Sequence, residues 1–294
     1  MMTVKEARQI ADSFHRCEKR DESDIFIYTE AMEYLIREEK KPQDMLNLGG
    51  WYYGQRNFDL ALKYYNMAAS YDYEPAWECL GYVWYYGRTG EKDYEKAFEF
   101  FSKCMEKGNH VAAYKIADMY KNGYYVEKDY EKYKQIVKDL YDKVKNDRML
   151  FDPVPEVFTR LARIEKEEGN IDFAVDLMLR AKNFLGQRIQ YSDFFGNLNI
   201  MKWLIDDLYE TIHFDPTDFD FFDLYYALKT PGMITFMYGT KEYSVNVIEE
   251  DGECVINFNG KWFRNRDDFF AKAEIDGNLL TSINNKLYLF KKVK

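Results

Sequence analysis

A chain of 294 residues with 47% apolar content has the material for one large core or two modest ones, and it lacks the composition of a disordered segment. Its formal charge of −10 is unevenly spread: residues 231–294 hold 9 Lys/Arg against 9 Asp/Glu, so residues 1–230 carry the excess, 32 against 42. So acidic a body repels phosphate backbones, which argues against nucleic acid and favours a basic protein or peptide as partner.

The N-terminus runs from Met1 through Arg8 straight into charged, helix-forming sequence, and nowhere do eighteen apolar residues follow one another. The expectation is a cytoplasmic protein with no membrane contact. Cys17, Cys79, Cys104 and Cys254 form no CxxC pair, and His15, His110 and His213 have no metal-ligand spacing, so reduced thiols and no metal or cofactor are expected. Residues 4–39 have room for one helical pair.

From residue 44 onward the chain repeats itself. Leu48-Gly49-Gly50-Trp51-Tyr52-Tyr53-Gly54 is echoed by Leu80-Gly81-Tyr82-Val83-Trp84-Tyr85-Tyr86-Gly87, and Lys92-Asp93-Tyr94-Glu95-Lys96 returns as Lys128-Asp129-Tyr130-Glu131-Lys132, 36 residues on, the spacing that also separates Gly87 from Gly123. A period of that length signals stacked helical hairpins. Gly54, Gly87, Gly123 and Gly169 stand where a first helix would end in a left-handed cap. Small residues seven apart, Ala61/Ala68, Ala97/Cys104 and Ala174/Ala181, mark one face of each second helix, and Gly81 and Ala117 allow close approach on the first.

Through Leu80-Gly81, Trp84-Tyr85-Tyr86-Gly87, Asp93 to Ala97 and Phe100-Phe101, residues 44–132 resemble the Sel-1-like repeat family, relatives of tetratricopeptide repeats. The resemblance implies an α-α superhelix that serves as an adaptor between proteins. It loosens at 155–185. A secreted branch of the family joins the two helices of a repeat by a disulfide, and Cys79 and Cys104 fall on two such helices. The pair does not recur one repeat later, at Lys115 and Leu140, so thiols are expected.

In the third unit Tyr133 replaces the small residue, and apolar positions continue through Ile136, Val137, Leu140, Tyr141 and Val144, before Asp152-Pro153-Val154-Pro155 breaks the chain. Leu198 to Ile212 reads as helix. Asp215-Pro216-Thr217-Asp218 then reads as the cap of a last helix ending before Pro231-Gly232. Beyond it, Ile234 to Phe236, Tyr243 to Val247 and Cys254 to Phe258 are strand-like, punctuated by Gly239, Asp251-Gly252 and Asn259-Gly260, with a short helix at Asp267 to Ala273 and a last strand at Leu287 to Phe290. The fold expected is mostly α: a solenoid of helical hairpins over residues 1–214, then a small α+β module over 215–294. So small a module is expected to dock on the last helices.

No nucleophile elbow, phosphate loop, dinucleotide fingerprint or HExxH motif occurs, so the chain is read as a non-enzyme. Asp215, Asp218, Asp220 and Asp223 lack the glycine of a calcium loop and read as helix-capping acids. His110, after Gly108-Asn109, has no nucleophile placed beside it, and neither does the pair His15 and Cys17 make a site. If Leu80, Gly81 and Trp84 face the core, Glu78, Tyr82 and Tyr85 turn away from it, and one repeat later so do Tyr114, Asp118 and Lys121. These six residues are the candidate partner-binding groove, tyrosines anchoring and charges setting register. Two other readings remain: neutralisation of a basic toxin by an immunity-type protein, and an enzymatic activity in the C-terminal module.

Overall fold

The computed structural model describes residues 2–14, 21–147, 153–191, 195–213 and 218–293. It divides into two compact units, Met1–Ile136 and Val137–Lys294. The boundary expected at residue 214 thus lies inside the second unit.

The first unit is an array of helical hairpins: α1 (Val4–Phe14), α2 (Glu22–Glu39), α3 (Pro42–Gly54), α4 (Phe58–Ala69), α5 (Glu74–Tyr86), α6 (Tyr94–Glu106), α7 (His110–Asn122) and the start of α8 (Tyr130–Val144). The helical pair expected in residues 4–39 is present as α1 and α2. Proline opens α3 and α5, where its missing N–H costs nothing, and Asn57, Asp93 and Asn109 cap α4, α6 and α7 by accepting from the backbone three residues on. Phe14 stacks on Tyr28 at 4.0 Å between ring centroids, with Trp51 edge-on to both, which seals the first hairpin to the second.

Small residues sit where the period placed them. Ala61, Ala68, Ala97, Cys104 and Ala117 are fully buried. A Cβ on Gly49 would come within 2.7 Å of the Tyr65 ring, and one on Gly81 within 2.6 Å of the Phe101 ring, so each first helix lies directly on an aromatic ring of the second.

Gly87 and Gly123 end α5 and α7 in the left-handed conformation, at φ 62 and 70. Gly54 does not: it remains helical, and the chain turns at Arg56 instead, with φ 58. At Gly87 a side chain would also meet Lys92 N at 2.8 Å, backbone that cannot swing aside. Gly87→Ala should therefore destabilise the unit by about 1–2 kcal/mol, read as a lowered urea midpoint with unchanged slope.

The second unit begins with the rest of α8, then α9 (Val154–Glu167), α10 (Ile171–Tyr191) and α11 (Phe195–Thr211). Ala174 and Ala181 of α10 are fully buried, as their spacing required. In place of one last helix before Pro231 the chain forms a two-residue strand, β1 (Asp218–Phe219), and a single turn, α12 (Leu224–Ala227). Residues 215–217 of the expected cap lie outside the described residues, as do His15 and Cys17. Then come β2 (Gly232–Tyr238), β3 (Lys241–Glu250), β4 (Glu253–Phe258), β5 (Lys261–Phe263), α13 (Arg266–Lys272), β6 (Glu274–Ile275), β7 (Asn278–Leu279) and β8 (Leu287–Val293). Six strands make one antiparallel sheet in the order β1-β8-β2-β3-β4-β5.

Alternation along the strands buries Phe236, Tyr243, Phe258 and Phe290 on one face, against Phe269 of α13, whose ring lies 5.8 Å from that of Phe258. The sheet module docks on α11, as its size required. Arg266 grips Asp206 with two hydrogen bonds, of 2.6 and 2.5 Å, and lies 4.0 Å over the Tyr225 ring, while Lys202 pairs with Asp267 at 2.8 Å.

Asp223 does not serve as a capping acid. Its carboxylate, 7% exposed, pairs with Lys182 of α10 at 2.5 Å and accepts from the Tyr209 hydroxyl at 2.6 Å, and Asp220 joins at 3.0 Å from the same lysine. Burial pushes the Asp223 carboxyl up, against the pull of Lys182; burial pulls the Lys182 ammonium down, but Asp223 and Asp220 outweigh it and hold it above its ordinary value. Among the described residues no group of His, Cys, Asp and Glu is placed to hold a metal ion.

Candidate functional site

The six residues marked by the repeat period lie on α5 and α7, and the structure draws most of them into one cluster rather than leaving them in solvent. Tyr114 is only 6% exposed, and Glu78, Tyr82, Tyr85, Asp118 and Lys121 are half-buried. Their burial follows from neighbouring first helices packing side by side, so a residue turned away from its own hairpin meets the next one. The Tyr82 and Tyr114 hydroxyls lie 3.0 Å apart, joining α5 to α7. The Tyr82 ring packs edge-on against Phe101 and stacks on Tyr86 at 6.0 Å, while Tyr85 meets Tyr86, Tyr94 and Tyr124 edge-on.

The charged members are placed differently. Glu78 accepts from Asn109 Nδ2 at 2.7 Å; Glu74 accepts from the same nitrogen, and Asn109 Oδ1 caps α7. Burial raises the Glu78 carboxyl above its ordinary value, opposed by the Asn109 hydrogen bond. Lys121 reaches over the Tyr133 ring at 5.0 Å, and Asp118 bears electrostatically on Tyr85.

Four residues that the period did not mark, Tyr53, Tyr86, Arg88 and Lys115, complete the cluster. Lys115, 6% exposed, places its ammonium 5.1, 5.0, 5.1 and 5.3 Å from the ring centroids of Tyr82, Tyr85, Tyr86 and Tyr114, and donates to the Tyr86 hydroxyl at 2.9 Å. Tyr86, 42% exposed, is the open member of this cage. Arg88 lies 5.0 Å from the Tyr86 centroid and 5.7 Å from those of Tyr53 and Phe58, and donates to the Tyr53 hydroxyl at 2.9 Å. Tyr53, Arg88, Tyr86, Lys115 and Tyr114 therefore form a continuous chain of ring and cation contacts from α3 through α5 to α7. A cation at every ring was the one available signal: a lysine at the position held by Cys79 one repeat earlier is a poor core residue unless aromatic faces receive it.

Chemically this is a surface for holding rather than reacting. Burial lifts the Tyr82 and Tyr85 hydroxyls well above the ordinary phenol range, so both stay protonated donors. The Cys79 and Cys104 thiols are free, and burial pushes each up to about 12, far from a thiolate at neutral pH. His110 is the first residue of α7 and half-buried, in place of the turn position expected for it.

The Sel1 repeat model matches residues 42–70, 80–109 and 110–132. No curated protein matches the chain. Among solved structures, the chain is similar to a Sel1 repeat protein from Oxalobacter formigenes, at 20% identity and a TM-score of 0.52, covering 72% of this chain and 83% of that one. It is also similar to a protective antigen of uropathogenic Escherichia coli strains displaying an SLR fold, at 18% identity and a TM-score of 0.50; the match takes in 71% of this chain and only 48% of the antigen. These identities establish likeness of fold. Repeat folds of this kind are generally protein-interaction scaffolds, and the stretch from α3 to the start of α8 carries three matches to the Sel1 repeat.

Proposed function

We propose that the first unit is an adaptor that binds a polypeptide along the side-by-side first helices α3, α5 and α7, and that it acts by binding alone. The observation that carries this reading is the continuous run of tyrosine rings and cations from Tyr53 to Tyr114, three repeats long and open at Tyr86. Glu78, Tyr82, Tyr85, Tyr114, Asp118 and Lys121 form the floor and edges of this groove, and Tyr86 and Arg88 its accessible contacts. Tyrosine and arginine concentrate binding energy because they bury large, stiff, amphipathic surfaces. The acidic excess of the chain steers a basic partner toward it, in the cytoplasm. Among the described residues no helix is long and apolar enough to cross a membrane.

The test uses the full chain carrying Tyr86→Ala and Arg88→Ala, since the buried tyrosines would report folding as much as binding. With circular dichroism unchanged, partner recovered from the native host by crosslinking should fall by about tenfold or more. Undiminished recovery would remove the groove from contention.

A further inference from the structure

The groove contains cations that no acid among the described residues neutralises. Lys115 is nearly fully buried, yet its hydrogen bond goes to the Tyr86 hydroxyl and, among the described residues, no carboxylate stands within ion-pair distance of its ammonium. Arg88, on the same ring, donates to the Tyr53 hydroxyl and likewise has no carboxylate within that distance among the described residues. By contrast, Lys182 is answered by Asp220 and Asp223, Arg188 by Glu156, and the partly exposed Arg8 by Glu39 and Asp44. In a chain with ten more acids than bases, two unanswered cations sharing one tyrosine ring stand apart.

We infer that the groove takes a carboxylate from its partner: an Asp or Glu side chain of the bound polypeptide, received by Lys115 and Arg88 with Tyr86 displaced. This rests on the polypeptide-binding reading above and names the chemistry that the groove selects. A buried ammonium among aromatic rings is stabilised by their quadrupoles, but beyond the Tyr86 hydroxyl its other N–H donors meet no hydrogen-bonding oxygen among the described residues. A carboxylate replaces the Tyr86 hydroxyl as acceptor, and its second oxygen meets the Arg88 guanidinium. Tyr86 is the exposed ring of the cage and the one contact that both cations share, so moving this side chain opens the way to both. Two acids of the chain face the same tyrosines: Glu78 acts on Tyr82 and Asp118 on Tyr85. They repel a second incoming acid, so the site accepts one carboxylate, and a partner basic overall can still supply it.

The probe is a nine-residue peptide, acetylated and amidated at its ends, with one central glutamate in an alanine and lysine background, and a twin with glutamine at that position. Anisotropy titrations against the full chain should show the glutamate peptide binding about tenfold tighter, the effect of one charge-assisted contact in a shielded place. The difference should shrink to less than twofold in Lys115→Met, whose thioether suits an aromatic cage and keeps the fold, and in Arg88→Gln at the half-exposed position. Twins that bind alike, or fail alike, overturn the inference, as does a preference that survives Lys115→Met. If the twins bind alike while the Tyr86/Arg88 variant still loses its native partner, the carboxylate assignment falls and the binding face stands.

Discussion

Gly81→Val should destabilise the first unit by about 3 kcal/mol, near the upper end of the cost of overfilling a packed core. Even the first carbon of the new side chain would lie 2.6 Å from the Phe101 ring, and that ring is fully buried, stacked edge-on by Tyr82 and Tyr85, and has nowhere to move. The loss should appear as a lower urea midpoint and as faster hydrogen exchange in α5 and α6, with exchange in β2 to β4 unchanged. Phe101→Leu on its own removes ring volume and should cost about 1–2 kcal/mol. Combined with Gly81→Val it should cost clearly less than the two added together, since the smaller side chain makes room for the branch. Strict additivity would mean that the Gly81 contact is not what limits the approach of α5 to α6.

Lys182→Met should cost the second unit about 3–5 kcal/mol by leaving the Asp223 carboxylate shielded from water without its cation. Asp223→Asn in the same chain should restore at least half of that loss, because the amide removes the buried charge and its one oxygen still accepts from the Tyr209 hydroxyl, although the acceptor for the Asp220 N–H is given up. The pH dependence has a definite sign. Burial already holds the Asp223 carboxyl above its ordinary value near 3.8, and losing Lys182 raises it further. The folded state of the variant then binds this proton more tightly than the unfolded chain does, so the gap between variant and wild type is widest at neutral pH and narrows as pH falls toward 4. Thermal melts of both proteins between pH 4 and 7 measure it. A gap that stays constant or widens in acid would show that Asp223 is not the group left exposed to the lost charge.

The parts of the fold that could be read directly were those set by local geometry. Ala61, Ala97 and Gly81 announced close helix contacts because only small residues tolerate them, and Asp251-Gly252 and Asn259-Gly260 announced hairpins because both residues of each pair take positive φ. Gly54 misled because its neighbour Arg56 takes the left-handed turn instead. The helix expected before Pro231 failed for a different reason. Asp220 and Asp223 look like a helix start in any short window, but Lys182, some forty residues earlier, claims them, and Phe219 pairs with Phe290 near the far end of the chain. The candidate groove was half legible. Helical phase found Tyr82, Tyr85 and Tyr114, while Lys115 looked like a broken repeat until α5 and α7 stood side by side, since a lysine in a tyrosine cage is a property of two helices and of neither alone.

Tyr133 has a consequence for how such a chain can grow. At the repeat position held by Ala61 and Ala97 in the earlier hairpins, α8 carries Tyr133, a fully buried ring. A duplicated 36-residue segment ending at Gly123 would meet an alanine on the preceding second helix and find its seat, so the array can lengthen by recombination in its middle. The same segment inserted after α8 would meet a phenol instead. A duplicated repeat is therefore accommodated more readily before α8 than after it, where a ring stands in place of a methyl group.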